Sequence, residues 1–420
     1  MSLREENRRR RKRKNTNLLL TLIAVAFLAG VLYFVYSSGN EGSTGSNTNP
    51  VEVHNPKTQE TIDLSIVCVG DIMVHKPQIV SQYDKKSETY NYDNNFQYVK
   101  GYIEEADLAL GNVETTFGGG TPTGYPSFNA PDALADALAN MGLDVALTSN
   151  NHLYDKGLSG MKRTLQVLRK AGIATAGTRL PWEKNYTMVD VKGLKVAIVS
   201  YTYETPSVDG RTTINSVIIS QEAEGLINSF AYETLDEDLK KVKSTIKQAK
   251  KAGADIVVCY YHWGEEYQRS PNQWQHYIAE KTVNMGVDII FASHPHVLQK
   301  VEMLTQQGTG IEVPVFYSMG NFLSNQRSET LNNRYTEQGM IARVNLKYRK
   351  DTGEVTIAAM DAMRTWMEKY HQNGKDVYTI IPLDEKFENN ETLKTSGHLQ
   401  RAIQAAEDVT AVLGDNYIRK

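Results

Sequence analysis

The sequence predicts an α/β domain with a largely parallel sheet, and three observations carry that prediction. Short apolar runs of strand length alternate with longer runs of helical period from residue 61 onward. Several helical runs are followed directly by glycine, the usual residue at a helix end. Polar residues of metal-ligating type stand just past the apolar runs, where α/β folds gather their active groups.

Each element has its own warrant. Residues 62–69 are an apolar strand running into Gly70-Asp71. The spacing predicts a helix over 96–105, then a strand over 108–110 that ends in Gly111-Asn112-Val113-Glu114. Residues 131–141 form a helix with Pro131 at its first turn. A strand over 144–147 leads into Ser149-Asn150-Asn151-His152, and a helix over 158–171 is closed by Gly172. Residues 195–201 are a strand and 233–252 a helix followed by Gly253. Its mixture of lysines and acidic residues marks an ordinary solvated face. The strand over 255–260 runs into His262-Trp263-Gly264-Glu265-Glu266. A helix over 274–285 precedes a strand over 287–291, and the turn after it delivers His294-Pro295-His296. Pro295 fixes its own φ and favours an extended His294, so both imidazoles are expected to face one point. After a strand over 313–317, residues 340–349 and 355–363 read as a hairpin around Asp351-Thr352-Gly353. Residues 205–230 have no clean period and read as an insertion.

Upstream the character changes. Residues 1–17 are a basic tail in which 8–14 are all Arg or Lys. Residues 18–36 carry no charge; as a helix they would reach about 28 Å, enough to span a hydrocarbon core. The basic flank is expected to stay cytoplasmic and the rest to lie outside. The bulky Val31-Leu32-Tyr33-Phe34 after Ala29-Gly30 favours an uncleaved signal-anchor over a signal peptide. Residues 37–60 are a flexible tether rich in Gly, Ser, Asn and Thr. The formal charge of the whole chain is only −3, so with a basic tail the external part is acidic. That argues against a nucleic-acid partner. Cys68 and Cys259 sit in apolar runs and read as buried free thiols.

Candidate ligands accumulate at the strand ends. Asp71, Glu114, Asn151, His262, His294 and His296 follow five apolar strands. Two carboxylates, an amide oxygen and three imidazoles suit one or two divalent first-row metals. Singly, each has an ordinary explanation as a turn, cap or surface residue. Six at equivalent strand ends make a constellation. His54, His276, His371 and His398 lie outside it.

The motifs Gly70-Asp71-Ile72-Met73, Gly111-Asn112-Val113-Glu114, Asn150-Asn151-His152, His262-Trp263-Gly264-Glu265, His294-Pro295-His296-Val297-Leu298-Gln299 and Tyr317-Ser318-Met319-Gly320-Asn321-Phe322 run in order through residues 64–323. Together they resemble the bacterial capsule-synthesis CapA family, whose Gram-positive members are also called PgsA, the poly-γ-glutamate capsule biosynthesis component. That family in turn resembles calcineurin-like metallophosphoesterases. The resemblance implies two packed β-sheets flanked by helices over 61–325, with 326–420 completing the domain. It also implies a two-metal centre of Mn, Zn or Fe that activates water. Partners would be poly-γ-glutamate or a similar anionic polymer, capsule synthase membrane subunits and the cell membrane.

The sequence departs from the phosphoesterase pattern at three places. The D-x-H signature is missing, the nearest His after Asp71 being His75. The G-D-x-x-D signature has become Gly111-Asn112-Val113-Glu114. The acid after the His of G-N-H-[DE] is Leu153, and Asp155 is the candidate to orient His152 instead. These changes weaken the case for phosphate-ester hydrolysis on a retained scaffold.

The six strand-end residues are the expected metal ligands, with Asn112 and His75 as weaker candidates. His152 matches the family position of a general acid; alternatively it only hydrogen-bonds its loop. Glu265 and Glu266 would orient His262 or form a solvated acidic pair. Asn321 would hold substrate or cap a turn. The leading expectation is a metal-dependent hydrolase or transferase acting on γ-glutamyl amide bonds. The alternatives are a non-catalytic subunit of a polymer synthesis and export complex, or a surface phosphoesterase.

Overall fold

The computed structural model describes residues 60–419. The basic tail, the apolar span at 18–36 and all but the last residue of the tether lie outside the described residues. Among the described residues no helix is long and apolar enough to cross a membrane.

Two sheets build the domain. The first contains β1 (Thr61–Ile72), β2 (Leu108–Val113), β3 (Val145–Leu147) and β4 (Ala174–Ala176) as neighbouring parallel strands. The second contains β5 (Thr187–Val191), β6 (Leu194–Tyr203), β7 (Ser229–Phe230), β8 (Ile256–His262), β9 (Ile289–Ser293), β10 (Val301–Thr305) and β11 (Glu312–Phe316). Its order is β7-β6-β8-β9-β11-β10, with β5 also paired to β6. Strands β6, β8, β9 and β11 run parallel, and β5 and β10 are antiparallel to them. The chain then returns to the first sheet. There β12 (Asn321–Leu323) pairs in parallel with the end of β1, and β13 (Gln338–Arg349) lies antiparallel along β1. Strands β14 (Val355–Gln372) and β15 (Lys375–Pro382) extend that antiparallel flank. The sheet is thus parallel on one side of β1 and antiparallel on the other.

Strand alternation explains the layering. Leu64, Ile66 and Cys68 of β1 share one buried cluster with Ile198, Val258, Tyr260 and Phe291 of the second sheet. The intervening Val67 and Val69 pack instead with Leu134, Leu138 and Met141 of α2 (Ala133–Met141). On the second sheet Val199, Val257 and Cys259 turn outward onto α4 (Leu235–Lys251) and α5 (Gln273–Val283). A period of two therefore sends one face of each sheet to its partner and the other to helices. Two further helices complete the site's surroundings, α1 (Lys76–Gln82) and α3 (Gly157–Lys170). At the far flank α6 (Leu399–Leu413) covers β14, with Ala402 and Ala405 against Trp366. Both cysteines are buried and free, Cys68 between the sheets and Cys259 under the helices.

One sequence expectation is corrected, and one stretch without a clean period gains a definite structure. The helix expected over 96–105 is two short pieces, Asp93–Phe96 and Lys100–Glu104. Between them the chain turns so that Phe96, Val99 and Ile103 all enter the core, and packing overrides a continuous helix. Residues 205–230 are not shapeless. They hold a small antiparallel sheet of Thr205–Val208, Arg211–Ile214 and Val217–Ile218 before β7.

Candidate metal centre

The carboxyl ends of β1, β2, β3, β8 and β9 meet along one rim, where the two sheets face each other. Gly70 makes the rim possible at β1. A Cβ there would stand 1.9 Å from the Gly320 carbonyl oxygen, and that oxygen accepts the Asp71 N–H at 3.0 Å. Only a residue without a side chain lets β12 approach so closely. The bulge between Val69 and Asp71 then turns the Asp71 carboxylate into the site.

Asp71, Glu114 and His262 are fully buried, and one donor atom of each lies within 4.8 Å of the others. A second group of the same kind is Glu266, His294 and His296, with both imidazoles buried and Glu266 exposed. The groups touch. His296 Nδ1 donates to Asp71 Oδ2 at 3.0 Å, and His296 Nε2 is 3.7 Å from Glu114 Oε1. Glu114 Oε1 is also 3.8 Å from His262 Nε2, and His262 Nε2 is 3.0 Å from Asn151 Oδ1. Donors around a tetrahedral ion with bonds of about 2.1 Å stand roughly 3.4 Å apart, so these separations suit a cation of that size. Glu114 Oε1 and His294 Nδ1 are buried without a hydrogen-bond partner. Orphaned donor atoms of this type are costly unless something else satisfies them.

The protonation pattern fits as well. Burial and neighbouring imidazoles hold His262 far below its ordinary value, and burial with His296 lowers His294 to about 3. Both are therefore neutral at physiological pH, the form that ligates metals. Burial raises Asp71, but the hydrogen bond and charge of His296, with the Asn112 amide, outweigh it and keep the carboxyl low. Glu114 is pushed well up by burial and by the Asp71 charge. A cation is what such a crowded carboxylate pair lacks.

Asn112 takes a different part from the one expected. Its Nδ2 donates to Asp71 Oδ1 at 2.8 Å and to Glu114 Oε2 at 2.9 Å. Its Oδ1 is turned away to accept from Asn150 Nδ2, whose other hydrogen goes to the Val113 carbonyl. An amide nitrogen is not a ligand, so Asn112 braces the two carboxylates. His75, at the N-terminus of α1, accepts the Asn325 N–H at Nδ1 and stands outside both donor groups.

His294 and His296 reach the site by another backbone route than the extended one expected from Pro295. Both have positive φ, 107° and 57°. The turn is clamped from the β8 loop, where Tyr267 N–H donates to the Pro295 carbonyl at 2.7 Å and Tyr267 itself has φ 66°. Gln299 adds a second tie through its bonds to the Gln268 carbonyl and to Gln275. Non-glycine residues held left-handed at one site are strain that the surrounding contacts must support.

His152 follows the ligand-type Asn151. Its Nδ1 donates to Asp155 Oδ2 at 2.8 Å, and that oxygen also accepts the Phe128 N–H at 2.6 Å. The His152 ring meets Phe128 edge-on at 4.6 Å. Glu265 does not reach His262; it accepts from Asn272, the cap of α5. Asn321 spends its amide nitrogen on Gln326 and the Thr336 carbonyl, which is turn architecture. Sequence reasoning did not single out Tyr203, whose ring lies 4.8 Å from that of His294, nor Glu266 as a member of a donor group.

Residues 65–326 match the family described as bacterial capsule synthesis protein PGA_cap. The capsule biosynthesis protein CapA of Bacillus anthracis is 31% identical over 280 residues, 64% of this chain and 62% of that protein. The PGA biosynthesis protein CapA of Bacillus subtilis is 30% identical over 283 residues, 64% of this chain and 66% of that protein. The match thus spans just under two thirds of either relative. A solved structure described as a novel phosphatase from Mycoplasma pneumoniae aligns with 73% of this chain and 94% of its own, at 14% identity and a TM-score of 0.41.

Proposed function

This chain belongs to the bacterial capsule synthesis protein family PGA_cap, and from that premise we propose that it is a metal-dependent hydrolase or transferase of capsule polymer assembly, acting on γ-glutamyl amide bonds outside the membrane. The observation that carries this reading is the pair of three-donor groups facing one another at the strand ends, with the His152–Asp155 pair on the neighbouring loop. Asp71, Glu114, Asn151, His262, His294 and His296 would hold one or two divalent ions on a calcineurin-like scaffold of two packed sheets. Such ions supply a polarised carbonyl and an activated water. His152, held in one orientation by Asp155, would protonate the departing amine. Residues 18–36 would anchor the domain, with the basic tail in the cytoplasm.

The test is direct. Purified protein is assayed against γ-glutamyl oligomers and a panel of phosphate esters, with and without Mn²⁺. Metal-dependent cleavage or transfer of the γ-glutamyl substrate is expected. Cleavage confined to the esters would make it a surface phosphoesterase.

One observation favours a second reading. Asn112 presents an amide nitrogen between Asp71 and Glu114, at the centre of the donor set. Neutral at that position, it removes a ligand and supports a non-catalytic subunit of a synthesis and export complex, in which the metal is structural. Protein that carries metal, turns over no substrate and is still needed for capsule would establish that reading.

A further inference from the structure

The two donor groups differ in one respect that the strand-end pattern does not contain. Asp71, Glu114 and His262 are all fully buried, whereas Glu266 of the second group is exposed to solvent. Glu266 comes from neither sheet. It sits in the loop after β8, between Gly264 at φ 86° and Tyr267 at φ 66°. A Cβ on Gly264 would lie within 2.9 Å of three Gln275 side-chain atoms, so the loop is folded tightly back over α5. Tyr267 N–H and Gln299 Nε2 then tie the loop to the His294-Pro295-His296 turn from both sides. These ties bring the Glu266 carboxylate to within 4.8 Å of the His294 and His296 donor atoms.

Charge gives this placement a purpose. Two divalent ions bring four positive charges, and the inner carboxylates Asp71 and Glu114 answer two. Asn112, braced between them, adds none. An additional carboxylate at the open side is the group the site lacks, and Glu266 is the acid the fold delivers there.

We propose that the centre is two unequal compartments, a closed inner one of Asp71, Glu114 and His262 and an outer one of His294 and His296 completed by Glu266, so that the outer divalent cation is bound more weakly and exchanges with solvent. This rests on the metal-centre reading above. The buried compartment has no exposed ligand through which water can enter; the outer one has Glu266. Glu114 Oε1 faces an imidazole from each compartment, at 3.8 and 3.7 Å, and joins them.

The experiment is a titration of the metal-stripped full chain with Mn²⁺, read by equilibrium dialysis with elemental analysis of both compartments and by electron paramagnetic resonance. Wild type is expected to take up two equivalents in two steps, with a spin-coupled signal at saturation. Glu266→Gln should keep the tight step, weaken the second at least tenfold, and show only the signal of an isolated ion. Glu265→Gln, on the neighbouring residue that accepts from Asn272, the cap of α5, instead, should behave as wild type. A second equivalent unchanged in Glu266→Gln overturns the assignment, as does equal weakening of both steps or the same loss in Glu265→Gln. Wild type that takes up no metal fails differently, because it removes the metal-centre reading itself. Glu266 is exposed, so its replacement tests ligation and not folding.

Discussion

His296 Nδ1 lies 3.0 Å from Asp71 Oδ2, a bond between residues 225 positions apart that joins the ends of the two sheets. Asp71 takes its other hydrogen bond from Asn112, so one carboxylate receives both a ring N–H and an amide N–H. Asp71→Asn turns one of its acceptors into a donor facing one of those groups. Metal affinity is expected to fall at least tenfold, about 1.4 kcal/mol, with the fold retained. Equilibrium dialysis with elemental analysis, beside a circular dichroism spectrum, measures both.

Gly70 is the backbone counterpart of that contact. A methyl group there meets the Gly320 carbonyl at 1.9 Å, and backbone on a paired strand cannot step aside. Gly70→Ala should destabilise the domain by about 3 kcal/mol, the upper end of overpacking costs, and should lower metal content because Asp71 moves with it. Urea unfolding compared with wild type gives the first quantity. Unchanged stability would mean that β12 does not press against β1.

Much of this architecture could be read from residue order alone, for physical reasons. In buried parallel strands such as β8 and β9 the apolar residues run on without alternation, as they do over Ile66–Val69 of β1, and polar residues of ligand type follow closely at Asp71, His262 and His294. What escaped notice had weaker signals. Strand β4 has three residues, and the strands over 205–218 are partly exposed and too short to show a period. The turn at His294 departs from the extended form that its sequence favours, because Pro295 restricts its predecessor only until tertiary ties, here Tyr267 and Gln299, override the preference. The sequence gives Glu266 no more than a supporting part, because its approach to the imidazoles depends on the fold of a loop, which no periodicity records.

Acid should weaken the domain in a defined window. Burial, opposed by Gln78 and reinforced by nearby imidazoles, lowers His75 from 6.5 to about 4. The unfolded chain therefore binds a proton near pH 6.5 that the folded chain refuses until about pH 4. Stability from this group is complete above 6.5 and is lost as the pH falls toward 4. Glutamine can still accept the Asn325 N–H but does not titrate. The stability of His75→Gln relative to wild type should therefore rise between pH 7 and pH 4. A constant difference across that range would show that His75 does not contribute.

The proposed topology rests on the basic run at 8–14 beside the uncharged span at 18–36. Protease added to intact protoplasts should remove the domain and leave a short membrane-bound stub. Full protection until the membrane is opened would reverse the orientation.

The acid role of His152 makes the most demanding claim, because two residues must act as one. Asp155 Oδ2 receives both His152 Nδ1–H and Phe128 N–H, so the carboxylate fixes the imidazole and is itself fixed by backbone. Phe128 meets the ring at its edge and restricts its rotation. With Nδ1 committed to Asp155, Nε2 is the nitrogen left to exchange a proton with a bound substrate. Removing the imidazole should cost about 10²- to 10⁴-fold in turnover, the usual contribution of a general acid. Asp155→Asn keeps the ring but loosens its orientation, and about a tenfold loss in turnover is expected. Neither residue belongs to a donor group, so both variants should keep the wild-type metal content. A double mutant no worse than His152→Ala would show that Asp155 works only through His152. Turnover unaffected by His152→Ala would leave the histidine as a brace for its loop.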